Sequence, residues 1–178
     1  MTDTDQQARF ESAVLPHLDA AYNLARWLSG NDHDASDIVQ EASLRAFRFI
    51  AGFRGGNSRS WLLTIVRNTA YTWLKKNHSA TVLNVTDEEL TEMEDPAAPA
   101  ADVVLLQNAN AEVLRAAIAA LPLEYREALV LRELEGLAYK EIAGVAGVPI
   151  GTVMSRLARA RKQLQESLTT KGGPHELH

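Results

Sequence analysis

The chain contains no cysteine in its 178 residues. A disulfide framework and thiolate metal sites are therefore excluded. No apolar run approaches the roughly 20 residues that a membrane-spanning helix needs. The N-terminal stretch MTDTDQQARFESAV is polar and acidic, unlike a secretory leader. The expectation is a soluble, intracellular, cytoplasmic protein. His17, His33, His78, His175 and His178 show no ligand spacing, and no nucleophile motif or phosphate-binding glycine loop occurs. A hydrolase or nuclease is therefore not expected. Aromatic residues make up only 6% of the chain, so any concentration of them is informative.

What is present is a charge pattern that the net value of −5 conceals. Met1 to Glu41 holds eight acids and two bases, whereas Ala42 to Thr86 holds seven bases and no acid. Asp87 to Leu114 holds eight acids and no base, and Arg115 to Leu164 holds eight bases and five acids. An acidic chain with two separated basic segments points to local contacts with a polyanion. The first basic segment includes SWLLTIVRNTAYTWLKK, from Ser60 to Lys76, with two tryptophans, a tyrosine, three cations and no acid.

Helical periodicity dominates. Apolar spacing near 3.6 predicts a helix from Phe10 to Leu28. GNDHDAS interrupts it, and Asp34 or Ser36 can cap a following helix that runs through Phe49. After the glycine-rich GFRGGNS, a helix is predicted from about Ser60 to Asn77. Ser79 to Ala101 then carries many acids, two prolines and few large apolar residues, the composition of a linker. Helices are predicted again over Val103–Leu121 and Leu123–Leu134, followed by two short ones split at Gly147-Val148-Pro149. The expected fold class is all-α, with two small helical domains joined by a flexible acidic linker. The boundaries fall at 1–77, 78–102 and 103–178.

The stretch AYKEIAGVAGVPIGTVMSRLARARKQL reads as helix, tight turn, helix. Ile142 and Ala146 face inward, Ala143 is small where the helices cross, and Val148 plugs the angle between them. Gly147 sits where a left-handed residue is needed, and Pro149 suits a helix entry. Val153, Leu157, Ala160 and Leu164 fall at i, i+4, i+7 and i+11 and form one apolar stripe. At about 100° per residue, Ser155, Arg159 and Lys162 point the other way, with Thr152 and Arg156 flanking. This is the layout of a helix-turn-helix whose second helix enters the major groove.

The same wheel divides the first basic segment. Thr64, Arg67, Asn68, Tyr71 and Lys75 share one side; Leu62, Val66, Thr69 and Trp73 take the other, with Trp61 at the boundary. Cations, an amide and a ring on one face suit phosphate contacts beside base contacts or stacking. Trp73 is expected to pack in the core.

Three segments together resemble the extracytoplasmic-function (ECF, group IV) sigma factors of bacterial RNA polymerase, over about residues 10–167. LPLEYREALVLRELEGLAYKEIAGVAGVPIGTVMSRLARARKQL is similar to their minus-35-reading domain. DASDIVQEASLRAF is similar to the segment that grips core polymerase, and FRGGNSRSWLLTIVRNTAYTWLKKN to the segment that reads the minus-ten element. The resemblance implies that Asp37, Gln40, Glu41 and Leu44, one helical face by i, i+3, i+4, i+7 spacing, bind the clamp-helix coiled coil of the polymerase. It implies minus-ten contacts from Asn57, Ser58, Arg59, Trp61, Arg67, Asn68, Tyr71 and Lys75, with the loop Gly55–Ser60 capturing an extruded base. That loop is about one residue shorter than the commonest pattern and lacks an aromatic before the tryptophan. Thr152, Ser155, Arg156, Arg159 and Lys162 are the implied minus-35 contacts. Met154 stands where many relatives carry a cation. The resemblance further implies no catalysis, no metal or small-molecule cofactor, and an anti-sigma factor as a second partner besides core polymerase and promoter DNA.

The competing reading is a stand-alone helix-turn-helix regulator that binds duplex DNA as a dimer. It leaves the first basic segment unexplained. A third reading is a helical adaptor that binds only protein, which loss of DNA crosslinking in a polymerase complex would favour.

Overall fold

The computed structural model of the chain describes residues 2–77 and 110–171, with the side chains of the last two of these set aside. The linker 78–102 lies outside the described residues, as do 103–109 and 172–178. Among the described residues there are helices and no strands, as an all-α class requires. The chain divides into two compact units; the described part of the first is 2–77 with 144–147, and that of the second is 110–143 with 148–171.

The first unit has four helices: α1 (Asp3–Val14), α2 (Leu18–Ser29), α3 (Asp32–Phe49) and α4 (Ser58–Asn77). The single helix expected from Phe10 to Leu28 is in fact two, separated by a 3₁₀ turn over Leu15–His17. Pro16 lies in that turn, where its missing N–H and fixed φ end the α pattern that the apolar spacing alone would continue. Gly30, at φ 90°, closes α2. The cap of α3 is Asn31, whose side chain accepts from the Asp34 amide at 2.8 Å, so α3 begins before the capping residues expected from sequence. Helix α2 packs on α3 and α4, and α1 packs on the same pair. The core is built from Val14, Leu24, Leu28, Ile38, Ile50, Leu62, Leu63 and Val66, all nearly without exposure.

The second unit comprises α5 (Ala111–Ala119), α6 (Leu123–Leu129), α7 (Tyr139–Ala146) and α8 (Ile150–Lys171). Helix α6 runs into a π turn over Val130–Leu134, and Gly136 follows at φ 69°. Gly147 adopts φ 70°, the left-handed geometry that its place between α7 and α8 demands. The Val148 amide closes the turn on the Ala143 carbonyl at 3.1 Å. Helix α8 is not short: it has 22 residues. Its stripe of Val153, Leu157, Ala160 and Leu164 is at most 1% exposed, on a helix that packs against α5 and α6.

Candidate nucleic-acid and polymerase interfaces

Helix α4 starts from Asn57, whose side-chain carbonyl accepts from the Ser60 amide at 3.1 Å while its backbone carbonyl accepts from Trp61. Asn57 is therefore a helix cap as well as a candidate base contact. Gly55 and Gly56 before it sit at φ 91° and 90°, a pair of left-handed residues that only glycine adopts without strain. Along α4, Leu62, Val66 and Thr69 are buried, whereas Asn68 and Lys75 are exposed and Thr64, Arg67 and Tyr71 are half-exposed. The two-faced helix expected from the wheel is present. On its outward face the Arg67 guanidinium lies over the Tyr71 ring, 3.7 Å from the centroid, and donates to the Asn68 side-chain oxygen at 3.3 Å. Such a stack holds the arginine flat and pre-ordered, at a gain of about 0.5–1 kcal/mol. Arg59 is half-exposed at the start of the helix.

Trp61 is half-buried with its ring 4.9 Å from that of Phe53. Ser58 Oγ lies 3.1 Å from His17 Nε2.

Asp37, Gln40, Glu41 and Leu44 do lie together on α3. They form one wall of a groove of about 540 Å³ whose other wall is Thr69, Thr72, Trp73, Lys76 and Asn77 of α4. Leu44 is 54% exposed. Glu41 pairs with Arg45 at 3.2 Å and Asp37 with His33 at 3.5 Å. Trp73 is not a core residue in the full sense: it is half-buried on the groove wall, and its buried indole N–H has no acceptor. The sequence pattern gave no sign of this α4 wall, because the wheel of one helix is silent on which face a neighbour leaves open.

In the second unit, Lys162 is exposed and Thr152 and Arg159 half-exposed. Ser155 is buried, and its hydroxyl donates to the Gly151 carbonyl at 3.1 Å. Arg156 is also buried, at 5% exposure, and pairs with Glu124 of α6 at 3.5 Å. The wheel set Arg156 beside the outward face; the structure turns it to the side where α6 brings a carboxylate. Further along α8, Arg161 donates to Glu133 at 2.9 Å. Met154 and Ala158 are partly accessible between these cations.

No group of His, Asp or Glu among the described residues could hold a metal ion. No helix among them is long and apolar enough to cross a membrane.

A helical unit with a basic, aromatic face, followed in the same chain by a helix-turn-helix, is the architecture of a two-domain helical nucleic-acid-binding protein. Residues 13–80 match the family model "Sigma-70 region 2" and residues 111–164 match "Sigma-70, region 4". The chain is 36% identical over 160 residues to the ECF RNA polymerase sigma factor SigE of Mycolicibacterium smegmatis, covering 89% of this chain and 61% of that protein. It is 34% identical over 146 residues to the ECF RNA polymerase sigma-E factor of Escherichia coli, covering 76% of this chain and 74% of that one. Among solved structures it is similar to the sigma factor RpoE of Bartonella quintana in complex with the anti-sigma factor NepR. That likeness has a TM-score of 0.67 and 28% identity, over 91% of this chain and 98% of the other. This chain belongs to the ECF sigma factor family.

Proposed function

We propose that this chain binds core RNA polymerase and directs promoter-specific initiation by reading a minus-35 and a minus-ten element. The observation that carries the proposal is one chain presenting two different DNA-suited faces. Helix α8 buries a continuous apolar stripe and leaves Arg159 and Lys162 accessible, while α4 stacks Arg67 on Tyr71 beside Asn68. A groove-reading helix handles duplex DNA; a face of ring, amide and cation handles bases taken out of the stack. The residues 1–77 form the polymerase and minus-ten domain, 103–178 the minus-35 domain, and 78–102 the link between them.

In this reading Asp37, Gln40, Glu41 and Leu44 meet the clamp helices of the polymerase. The loop Gly55–Ser60, with Asn57, Ser58 and Arg59, and the α4 residues Trp61, Arg67, Asn68, Tyr71 and Lys75 meet the opened minus-ten strand. Thr152, Arg159 and Lys162 meet the minus-35 duplex, with Arg156 exchanging Glu124 for a phosphate; Ser155, buried and bonded to the Gly151 carbonyl, makes no base contact in this reading. The chain supplies recognition, not catalysis, and works in the cytoplasm with the polymerase. An anti-sigma factor is its inhibitor. The similarity to a structure solved with an anti-sigma factor supports that last point.

The test is transcription in vitro with core polymerase and a random promoter library. Start sites should share two elements at one spacing, and none should appear without the chain. Tight duplex binding without core, and no initiation with it, would instead identify a stand-alone regulator.

A further inference from the structure

The loop between α3 and α4 is held at both ends, once from α1 and once from the turn that follows α1. The Arg9 guanidinium of α1 donates to the carbonyl of Phe53. His17, in the turn just after α1, shares a hydrogen bond with the Ser58 hydroxyl at 3.1 Å. The two anchor points bracket Arg54, Gly55, Gly56 and Asn57, all exposed. Between α1 and this bracketed loop lies an open cavity of about 480 Å³, lined by Arg9 and Ser12 on one side and Phe53, Gly55, Gly56 and Ser58 on the other. A Cβ on Gly55 or Gly56 would meet nothing within 4 Å, so the glycines are there for their backbone angles and not for want of room.

Physical reasoning makes the tethers matter. A loop with two consecutive left-handed glycines has a large conformational entropy to lose, because glycine explores more of φ/ψ space than any other residue. Holding both ends in advance removes part of that cost from the moment of binding. The cavity has groups suited to an unstacked nucleotide: an aromatic ring at Phe53, hydroxyls at Ser12 and Ser58, and a cation at Arg9.

We propose that α1 is the second wall of the minus-ten loop, with Arg9 and His17 the positioning residues that keep its cavity in shape for an extruded base. This rests on the minus-ten reading given above. The two tethers act through the loop; Ser12 faces the cavity that the base enters.

The experiment uses full-length chain bound to core polymerase. The probe is a labelled single strand carrying the minus-ten element of a promoter selected from the library. The Arg9→Ala, His17→Ala double variant should lose about tenfold in affinity for that strand, the effect of two net hydrogen bonds. Its affinity for a minus-35 duplex and its co-elution with core should not change. Arg9→Lys with His17→Gln, which can still donate, should recover most of the loss. Ser12→Phe, an exposed site on α1 that fills the cavity without touching either tether, should also lose the strand. Equal loss on the minus-35 duplex, failure of the conservative pair to recover, or normal strand binding by Ser12→Phe overturns the proposal. An Asn57→Ser, Asn68→Ala variant separates the two ideas. If it loses the strand while the α1 variants do not, the minus-ten reading stands and the role of α1 falls; if none loses it, both fall.

Discussion

Arg159 and Arg156 sit three residues apart on one helix and are in different situations. Arg159 is half-exposed and Arg156 is buried beside Glu124. If Arg159 bonds a base edge, Arg159→Ala should cost about 1–3 kcal/mol and relax preference at one position of the minus-35 element. Binding selections on randomised duplexes check this, and uniform weakening would make it a phosphate contact. Glu41 and Asp37 invite a harsher change. Asp37→Lys with Glu41→Lys reverses the charge of one groove wall and should abolish co-elution with core at unchanged helicity. Asp32 shows a residue with only a pH effect. The Tyr22 hydroxyl first, and the Arg26 guanidinium next, hold its carboxyl below the ordinary range. A depressed carboxyl stabilises the fold above its unfolded pKa, and that contribution is lost as pH falls through the folded value. Asp32→Asn should therefore flatten the acid limb of a melting profile slightly, since the group is exposed.

At the scale of the element, α4 is the part whose two jobs compete. Its first turn depends on the Asn57 cap, so Asn57→Ala mixes a loss of about 1 kcal/mol in helix stability with any loss of DNA contact. Asn57→Ser keeps a capping oxygen and removes the amide. The Asn57→Ser, Asn68→Ala variant should bind core normally and fail to open a duplex promoter. A template mismatched at the minus-ten element should partly rescue it, because the few kcal/mol needed to extrude a base are already spent. Permanganate reactivity of unpaired thymines measures this. Full opening by the variant on a matched template would reduce α4 to a structural helix. The turn between α7 and α8 offers the matching stability test. Gly147→Ala places a Cβ at φ 70° and should cost about 1–2 kcal/mol, read as a lower midpoint in thermal unfolding.

For the whole molecule, acidity and local basicity have to be reconciled. A net charge of −5 opposes non-specific DNA binding, while nine of the 18 cations lie on α4 and α8. Two phosphate contacts from α8, those proposed for Arg156 and Lys162, predict a salt slope of about −1.8 for binding to a minus-35 duplex, from roughly −0.9 per contact. A titration between low and physiological salt checks it, and a slope near zero would show that the cations do not meet DNA. Each unit is small, so one core loss should be felt across it. Leu157→Ala, at 1% exposure, should cost about 2–5 kcal/mol and unfold much of the second unit. Core binding through the first unit should survive that change.

The sequence by itself determined the helical class, the register of the helix-turn-helix and the two faces of α4. Each of these follows from a period of 3.6 and from residues such as Gly147 whose backbone needs are local. The buried stripe from Val153 to Leu164 could be named from spacing alone, because one helix packs one face. Only the tertiary structure decided where that periodicity is broken and what meets across distance. Pro16 splits one apparent helix into two, although the apolar rhythm carries straight through it. Arg156 turned inward because α6 places Glu124 beside it, a partner 32 positions earlier. Trp73 became a groove wall because α3 leaves that side of α4 open. Arg9 and His17 reach loop residues 44 and 41 positions away. No periodicity links such pairs; they are chosen by how helices pack, which depends on the shapes of all the side chains between them at once.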